Sequence, residues 1–85
     1  MNTEDHVKKI LDEVLYLDGR SAAMDQNTPL LGSLPELDSL AIVEVVAAIE
    51  KEFRFSFEDD EINADVMASL GSLTSFIDQK IGNSQ

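Results

Sequence analysis

The sequence predicts an all-α fold, a small four-helix bundle of three longer helices and one short helix with a long first loop. Apolar residues recur at the three- and four-residue spacing of amphipathic helices in three separate stretches. No stretch shows the sustained alternation that is typical of a β-strand. The length of 85 residues predicts one domain over 1–85, with a helical core over 3–81 and a polar tail over 82–85.

The first helix is predicted to run from Thr3 to about Leu17. The Thr3 hydroxyl can cap it, and the acids Glu4 and Asp5 in the first turn suit the helix dipole. Gly19 is expected to end it. One apolar stripe is formed by Val7, Ile10, Leu11, Val14 and Leu15.

Residues 18–38 are predicted to form an irregular loop. Its helix-breaking residues are Gly19, Pro29, Gly32 and Pro35. A loop of about twenty residues is uncommon in so small a domain and is usually functional. We expect its apolar side chains to pin it across the helix ends; these are Met24, Leu30, Leu31, Leu34 and Leu37.

The second helix is predicted to begin after an Asp38 cap and to end at about Phe53. Its length and the 3.6-residue spacing favour a helix although many of its residues are β-branched. The inward stripe consists of Ile42, Val45, Val46, Ile49 and Phe53.

Residues 54–58 are predicted to turn, and residues 63–67 to form the short helix. We expect Ile62, Val66 and Met67 to point inward. Ser69 is predicted to cap a last helix that Gly82 ends, with the buried residues Leu70, Leu73, Phe76, Ile77 and Ile81.

Composition excludes several kinds of site. Cysteine is absent, which removes disulfides, thiolate metal sites and cysteine nucleophiles. His6 is the one histidine, so a multi-histidine metal site is impossible, and we expect it to be an exposed helix residue. The acids of residues 58–61 lack the ligand spacing of an EF-hand and are interpreted as solvated loop charge.

The net charge of −11 predicts which partners the chain can meet. It disfavours nucleic acid and anionic membranes and favours basic proteins. No apolar run is long enough to cross a bilayer, and acids at the N-terminus argue against a secretory signal. We therefore expect a cytoplasmic monomer.

The second helix carries a further apolar stripe beside its inward one. Leu40, Val43 and Ala47 share this side with Glu44 and Lys51. An apolar stripe fringed by acids is typical of a docking face. The alternative is that a central helix of the bundle is buried on both sides.

Ser39 is the first residue of this helix and follows the long loop directly. A hydroxyl there lies near the positive end of the helix dipole, which favours a phosphate ester. The alternative is that the Asp38–Ser39 pair only caps the helix. A self-contained hydrolase is disfavoured, because no base or second catalytic residue can be named.

The segment Leu37-Asp38-Ser39-Leu40 resembles the Asp-Ser-Leu motif of acyl carrier proteins. The upstream Leu31-Gly32, the helix that follows Ser39, and Leu70-Gly71-Ser72-Leu73 with Phe76-Ile77 are also similar to that family. The resemblance extends from the first helix to Ile81 and implies an acyl-carrier-protein-like fold.

The resemblance implies that Ser39 receives 4′-phosphopantetheine from coenzyme A through a separate, magnesium-dependent transferase. The thiol of this arm then carries an acyl or aminoacyl group as a thioester. The domain itself is implied to have no catalytic residue and no metal site. The implied partners are a phosphopantetheinyl transferase, a loading ligase or synthase, and acyltransferases. We expect their basic surfaces to dock on Asp38, Leu40, Val43, Glu44 and Ala47.

Three positions depart from the family pattern. Glu36 stands where a glycine is usual, and Ala41 and Lys51 stand where fatty-acid carriers often have acids. These differences indicate a specialised carrier, for polysaccharide, polyketide or peptide-type assembly, rather than the housekeeping carrier of fatty-acid synthesis.

An apolar cargo is expected to shelter between the second helix and the short one. The expected lining is Val43, Val46, Ala47, Phe57, Ile62 and Val66. Alternatively these residues pack against one another and the cargo stays in solvent. The competing function is a non-covalent acidic adaptor for basic proteins, in which Ser39 is merely a cap.

Overall fold

The computed structural model describes residues 2–82, and these fold around three α-helices. They are α1 (Thr3–Leu15), α2 (Ser39–Phe53) and α3 (Leu70–Ile81). Short 3₁₀ helices, Arg20–Ala23 and Asp59–Glu61, lie in the two connections. No strand occurs within the described range, so the all-α class is confirmed. The predicted polar tail lies outside the described residues from residue 83 onward.

The start of α1 differs from the prediction in its cap. The Asn2 side chain accepts a hydrogen bond from the Asp5 backbone N–H (2.9 Å) and caps the helix. Thr3 is buried instead, and its hydroxyl donates to Asp78 Oδ1 on α3 (2.5 Å). Thr3 is therefore not the cap, because its side chain ties α1 to α3.

The end of α1 comes two residues earlier than predicted. Tyr16 adopts a left-handed conformation (φ 55°), and its N–H donates to the Asp12 carbonyl. Leu17 lies beyond the helix and is fully buried, so its apolar side chain belongs to the core and not to the helix. Gly19 (φ 88°) opens the first 3₁₀ helix rather than ending α1.

The core lies where the apolar stripes of the three helices meet. α1 packs against both α2 and α3. Each helix contributes fully buried side chains, namely Val7 and Leu11, Val45 and Ile49, and Leu73 and Ile77. Other predicted inward residues are only partly buried at the margin of this cluster; these are Val14, Ile42, Phe53, Phe76 and Ile81.

Backbone hydrogen bonds tie the long first loop to the start of α3. From N–H to carbonyl, they join Leu30 to Ala68 (2.9 Å), Leu31 to Met67 (3.1 Å), Leu70 to Thr28 (2.9 Å) and Gly71 to Gln26 (2.9 Å). Two of the donors are N-terminal amides of α3, which have no partner inside their own helix. These hydrogen bonds therefore hold the first loop against the N-terminal end of α3.

The apolar side chains of the loop mostly pin it as predicted. Met24, Leu30 and Leu37 are buried, and Leu34 is partly buried against the core. Leu31 is the exception, because it is 37% exposed.

The predicted short helix over 63–67 is only one turn. A single helical hydrogen bond joins the Met67 N–H to the Asn63 carbonyl (3.1 Å). The Asn63 side chain also accepts from the Val66 N–H (2.9 Å), which is a capping contact and not a helix interior. Met67 is buried and Val66 partly buried, whereas Ile62, predicted to point inward, is 39% exposed.

We predict that Gly71→Ala destabilises the fold. A Cβ at this position would lie 2.6 Å from the Gln26 carbonyl oxygen, which accepts the Gly71 N–H. Relieving such overpacking costs about 1–3 kcal/mol of unfolding free energy. Urea unfolding measures this loss.

The matched control for Gly71→Ala is Ser75→Ala on the exposed side of α3, which should change stability by less than about 0.5 kcal/mol. Helix propensity alone predicts that alanine at 71 stabilises the helix. A more stable Gly71→Ala variant would therefore contradict the tight approach of the loop.

Candidate functional site

Ser39 begins α2, and its neighbour Asp38 performs the capping. Asp38 Oδ1 accepts from the Ala41 N–H (2.8 Å), and the Asp38 carbonyl accepts from the Ile42 N–H (2.9 Å). Ser39 is exposed, and among residues 2–82 its hydroxyl has no hydrogen-bond partner. The cap of α2 is therefore Asp38, and the Ser39 hydroxyl takes no part in it.

The backbone before Ser39 is held by Glu36. Its carboxylate Oε2 forms an ion pair with Arg20, whose Nε–H donates to the Leu17 carbonyl (3.0 Å). The hydrogen bond from Arg20 lowers the pKa of Glu36 below its usual value, so the carboxylate is ionised at neutral pH. Glu36 thus links the segment before Ser39 to the first 3₁₀ helix.

Asp12 of α1 fixes the turn that starts the loop. Its carboxylate accepts from the Gly19 N–H (3.1 Å), the Ser21 N–H (3.2 Å) and the Ser21 hydroxyl (2.6 Å). The hydrogen bond from the Ser21 hydroxyl, followed by that from Gly19, lowers the pKa of Asp12. Sequence reasoning missed this residue, since its spacing marks only a polar position on α1.

The predicted docking residues all lie on the open side of α2. Asp38, Leu40, Val43, Glu44 and Ala47 are exposed, Leu40 by 70% and Val43 by 63%. The alternative in which a central helix is buried on both sides is therefore wrong. The structure brings this apolar stripe and its acids together beside Ser39.

The residues predicted to line an acyl pocket divide into two groups. Val46 and Phe57 are buried, whereas Ile62 is exposed and Val66 partly buried. Phe57 lies between two other rings, with centroid distances of 5.2 Å to Phe55 and 5.1 Å to Phe76.

A pocket that the sequence does not predict lies beside Ser39, away from the proposed acyl site. It has a volume of about 290 Å³ and lies between the end of α1 and the start of α2. Its lining residues are Val14, Leu15, Tyr16, Glu36, Asp38, Leu40, Ala41 and Glu44. Tyr16 is the sequence signal for it, as an aromatic residue just beyond the first apolar stripe.

His6 lies far from Ser39. Its Nδ1 is 3.3 Å from Glu52 Oε2, and its ring meets the Phe53 ring edge-on at 5.7 Å. His6 is thus partly buried at the last turn of α2, which corrects the expectation of an exposed residue. The rise along α2 separates it from Ser39 by about 20 Å, so it cannot act as a base there.

Two further classes of feature are missing from residues 2–82. No group of three histidine or acidic side chains is placed to hold a metal ion. None of the helices in this range has the length and apolar character needed to cross a membrane.

Comparison with known proteins identifies relatives of this arrangement. The family model described as "Phosphopantetheine attachment site" matches residues 5–77. The structure is also similar to the solution NMR structure of a holo acyl carrier protein from Nitrosomonas europaea. The TM-score is 0.90 and the sequence identity 43%, and the match covers 96% of this chain and 99% of that chain.

We predict that Asp12 contributes to the acid sensitivity of the fold. Because its pKa is lower in the folded state, its stabilisation is present above the ordinary value of about 3.9 and is lost as the pH falls below it. Thermal melting of wild type and Asp12→Asn between about pH 6 and about pH 3 measures this loss.

The wild type should lose more melting temperature on acidification than Asp12→Asn, whose amide does not titrate. Part of the pH dependence should remain in the variant, because the pKa values of Glu36 and Glu61 are also lowered. Equal losses in the two proteins would contradict the role of the Asp12 carboxylate.

Proposed function

Since the chain belongs to the phosphopantetheine attachment family and is an acyl carrier protein, we propose that Ser39 is the residue that bears its 4′-phosphopantetheine arm. The arm holds an acyl or aminoacyl group as a thioester and presents it to partner enzymes. The competing function, a non-covalent acidic adaptor, is not favoured, because family membership brings a covalent cofactor with it.

The observation that carries this assignment is the free hydroxyl of Ser39. It is exposed and lacks a hydrogen-bond partner among residues 2–82, while the neighbouring Asp38 side chain accepts from the Ala41 N–H. A phosphodiester at this oxygen would lie at the positive end of the helix dipole, which stabilises negative charge. The location thus suits both the attack by the Ser39 oxygen on a phosphate and the charged phosphodiester that results.

The transfer needs catalytic groups from another protein. The Ser39 oxygen forms a bond to the phosphorus of the pantetheine phosphate and its hydroxyl proton passes to a base. The pyrophosphate bond of coenzyme A breaks, and adenosine 3′,5′-bisphosphate leaves with the electron pair of that bond. His6 is about 20 Å away at the other end of α2. We therefore infer that a separate magnesium-dependent transferase supplies the base, and that this chain acts as a carrier and not as a catalyst.

The exposed side of α2 is proposed as the docking face for these enzymes. Leu40, Val43 and Ala47 offer apolar contact, and Glu44 and Asp38 bring negative charge beside it. The net charge of −11 attracts a basic partner surface and steers it toward the chain before contact. The loading ligase or synthase and the acyltransferases are proposed to use the same face.

We infer a specialised carrier rather than the housekeeping carrier of fatty-acid synthesis. Glu36 takes the place of the usual glycine and anchors the loop through Arg20. Ala41 is buried, so the acid that fatty-acid carriers often have there would be costly at this position.

An apolar cargo is proposed to enter between α2 and the segment over 62–67, lined by Val46, Phe57, Ile62 and Val66. Within that segment Ile62 is exposed and Val66 only partly buried, so its first residues can move at a low free-energy cost while the buried Met67 stays in place. Each methylene removed from water contributes about 0.8 kcal/mol, which favours shelter for a medium-length chain.

We predict that Ser39→Ala accepts no phosphopantetheine and remains folded. Incubation with coenzyme A, magnesium and a broad-specificity phosphopantetheinyl transferase, followed by intact mass measurement, tests this. The wild type should gain the mass of one arm, and Ser33→Ala, which alters an exposed serine of the loop, should gain it too. The melting temperature of Ser39→Ala should match the wild type, because Asp38 keeps the cap. An alanine variant that gains the arm would contradict the assignment.

We predict that an octanoyl group on the arm raises the melting temperature above that of the unloaded arm. The six methylenes and the methyl group of the octanoyl chain contribute at most about 6 kcal/mol, less the cost of opening the site. The NMR signals of Val46, Ile62 and Val66 should shift more than those of α1. If both melting temperature and signals stay unchanged, the cargo stays in solvent, and the shelter is absent even though the arm is attached.

A further inference from the structure

The pocket between α1 and α2 leaves two large apolar side chains in water at its edge. Because α1 ends at Leu15 and Tyr16 turns into the left-handed conformation, the Tyr16 side chain leaves the helix and is 87% exposed. Leu40, which also lines the pocket, is 70% exposed. Val14 and Ala41 add further apolar surface. A group that fills the pocket would therefore remove apolar surface from water, which is favourable.

The charged side chains that line the pocket are all acidic, namely Glu36, Asp38 and Glu44. Arg20 pairs with Oε2 of Glu36, whereas Oε1 is buried and has no hydrogen-bond partner among the described residues. A buried acceptor without a partner costs free energy, and an N–H or O–H donor removes that cost. A suitable occupant therefore has an apolar group and a hydrogen-bond donor, and it carries no negative charge of its own.

We propose that this pocket holds the pantoyl unit of the unloaded phosphopantetheine arm, which rests on the proposed function because the arm must be attached at Ser39. The pantoyl unit is the uncharged part of the arm next to the phosphate. Its two methyl groups pack against Leu40 and the Tyr16 ring, and its hydroxyl donates to Oε1 of Glu36. The pocket is thus a resting site for the base of the arm.

The attachment residue lies close enough for this contact. Asp38 and Leu40 line the pocket and are the two neighbours of Ser39 in the chain. The carbon that bears the two methyl groups lies within about 5 Å of the Ser39 oxygen, because only a phosphate and one methylene separate them. The phosphate can therefore stay at the positive end of α2 while the pantoyl unit turns into the pocket.

The size of the pocket also fits the pantoyl unit. Its volume of about 290 Å³ equals that of about ten water molecules. From the first methylene to the first amide nitrogen, the pantoyl unit has about nine non-hydrogen atoms, each comparable in size to a water molecule. The pocket therefore takes this unit and leaves the rest of the arm, with its thiol, outside.

The unloaded arm has a reason to prefer this pocket over the proposed acyl site beside Val46 and Ile62. Without cargo, the arm has no long apolar chain to place between α2 and the segment over 62–67. The dimethyl group is then its most apolar part near Ser39, and the exposed Tyr16 and Leu40 are apolar surfaces within its reach. The two sites therefore serve different parts of the arm.

The first test locates the arm by NMR. Protein labelled with ¹³C and ¹⁵N is loaded from unlabelled coenzyme A, and an isotope-filtered NOESY spectrum selects contacts between the arm and the protein. We expect NOEs from the dimethyl protons to the Tyr16 ring and to the Val14 methyl groups. NOEs to Val43 and Val46 instead, or a dimethyl group with no NOE to the protein, would overturn the proposal.

The second test compares the melting temperatures of the modified and unmodified forms. In the wild type, the modified form should melt higher by on the order of 4 °C. Tyr16→Ala should lose at least half of this difference, and Tyr16→Phe, which keeps the ring, should retain it. Arg54→Ala is the matched control, because Arg54 is also an exposed left-handed residue that ends a helix (φ 60°), and it should retain the difference too. An undiminished difference in Tyr16→Ala would contradict the contact.

Intact mass separates a failure of this proposal from a failure of the proposed function. If the wild type gains the arm and Ser39→Ala does not, but the NOEs place the dimethyl group away from Tyr16, the resting site is absent and Ser39 remains the attachment residue. If the wild type gains no arm, the proposed function fails, and the resting site fails with it.

Discussion

The backbone hydrogen bonds between the first loop and the start of α3 fix the path of the loop that leads to Ser39. Residues 26–31 run across the N-terminal end of α3 and accept hydrogen bonds from amides that have no partner within this helix. The Gly71 backbone can approach the Gln26 carbonyl so closely because it has no Cβ. The long loop therefore keeps a defined path despite its lack of regular structure. Asp38 lies at the end of that path and caps the start of α2.

The same constraint explains why the site is chemically simple. With the loop fixed by α3 at one point and by the Glu36–Arg20 pair at another, Asp38 caps α2 and the Ser39 hydroxyl is left unoccupied. In the proposed function, the chain contributes the Ser39 oxygen, a helix dipole and an acidic surface, whereas a partner enzyme supplies the base and the metal ion.

The sequence predicted α2 and α3 closely because each has a capping residue at its start, Asp38 and Ser69, whose side chain accepts a helix amide in the structure. It predicted the end of α1 less well, since a left-handed Tyr16 is rare and no local pattern marks it. The apolar spacing of 63–67 predicts a helix, and the Asn63 side chain does cap the start of a helical turn. The turn ends after one hydrogen bond, because Ser69 is extended and begins the next helix. The pocket beside Tyr16 depends on how α1 and α2 cross, which spacing along one helix does not reveal. Ser39 could be proposed as the attachment residue from the sequence, because its motif consists of neighbouring residues.

The most direct test of the carrier function is the detection of a covalent bond between phosphorus and the Ser39 oxygen. After enzymatic loading with coenzyme A, a two-dimensional ¹H–³¹P correlation spectrum reports which protons are coupled to the phosphodiester. We expect one phosphorus signal whose cross-peaks reach the β-protons of Ser39 and the adjoining methylene of the arm. A cross-peak to another serine, such as Ser33 in the loop, or a spectrum with no phosphodiester signal, would overturn the assignment of Ser39.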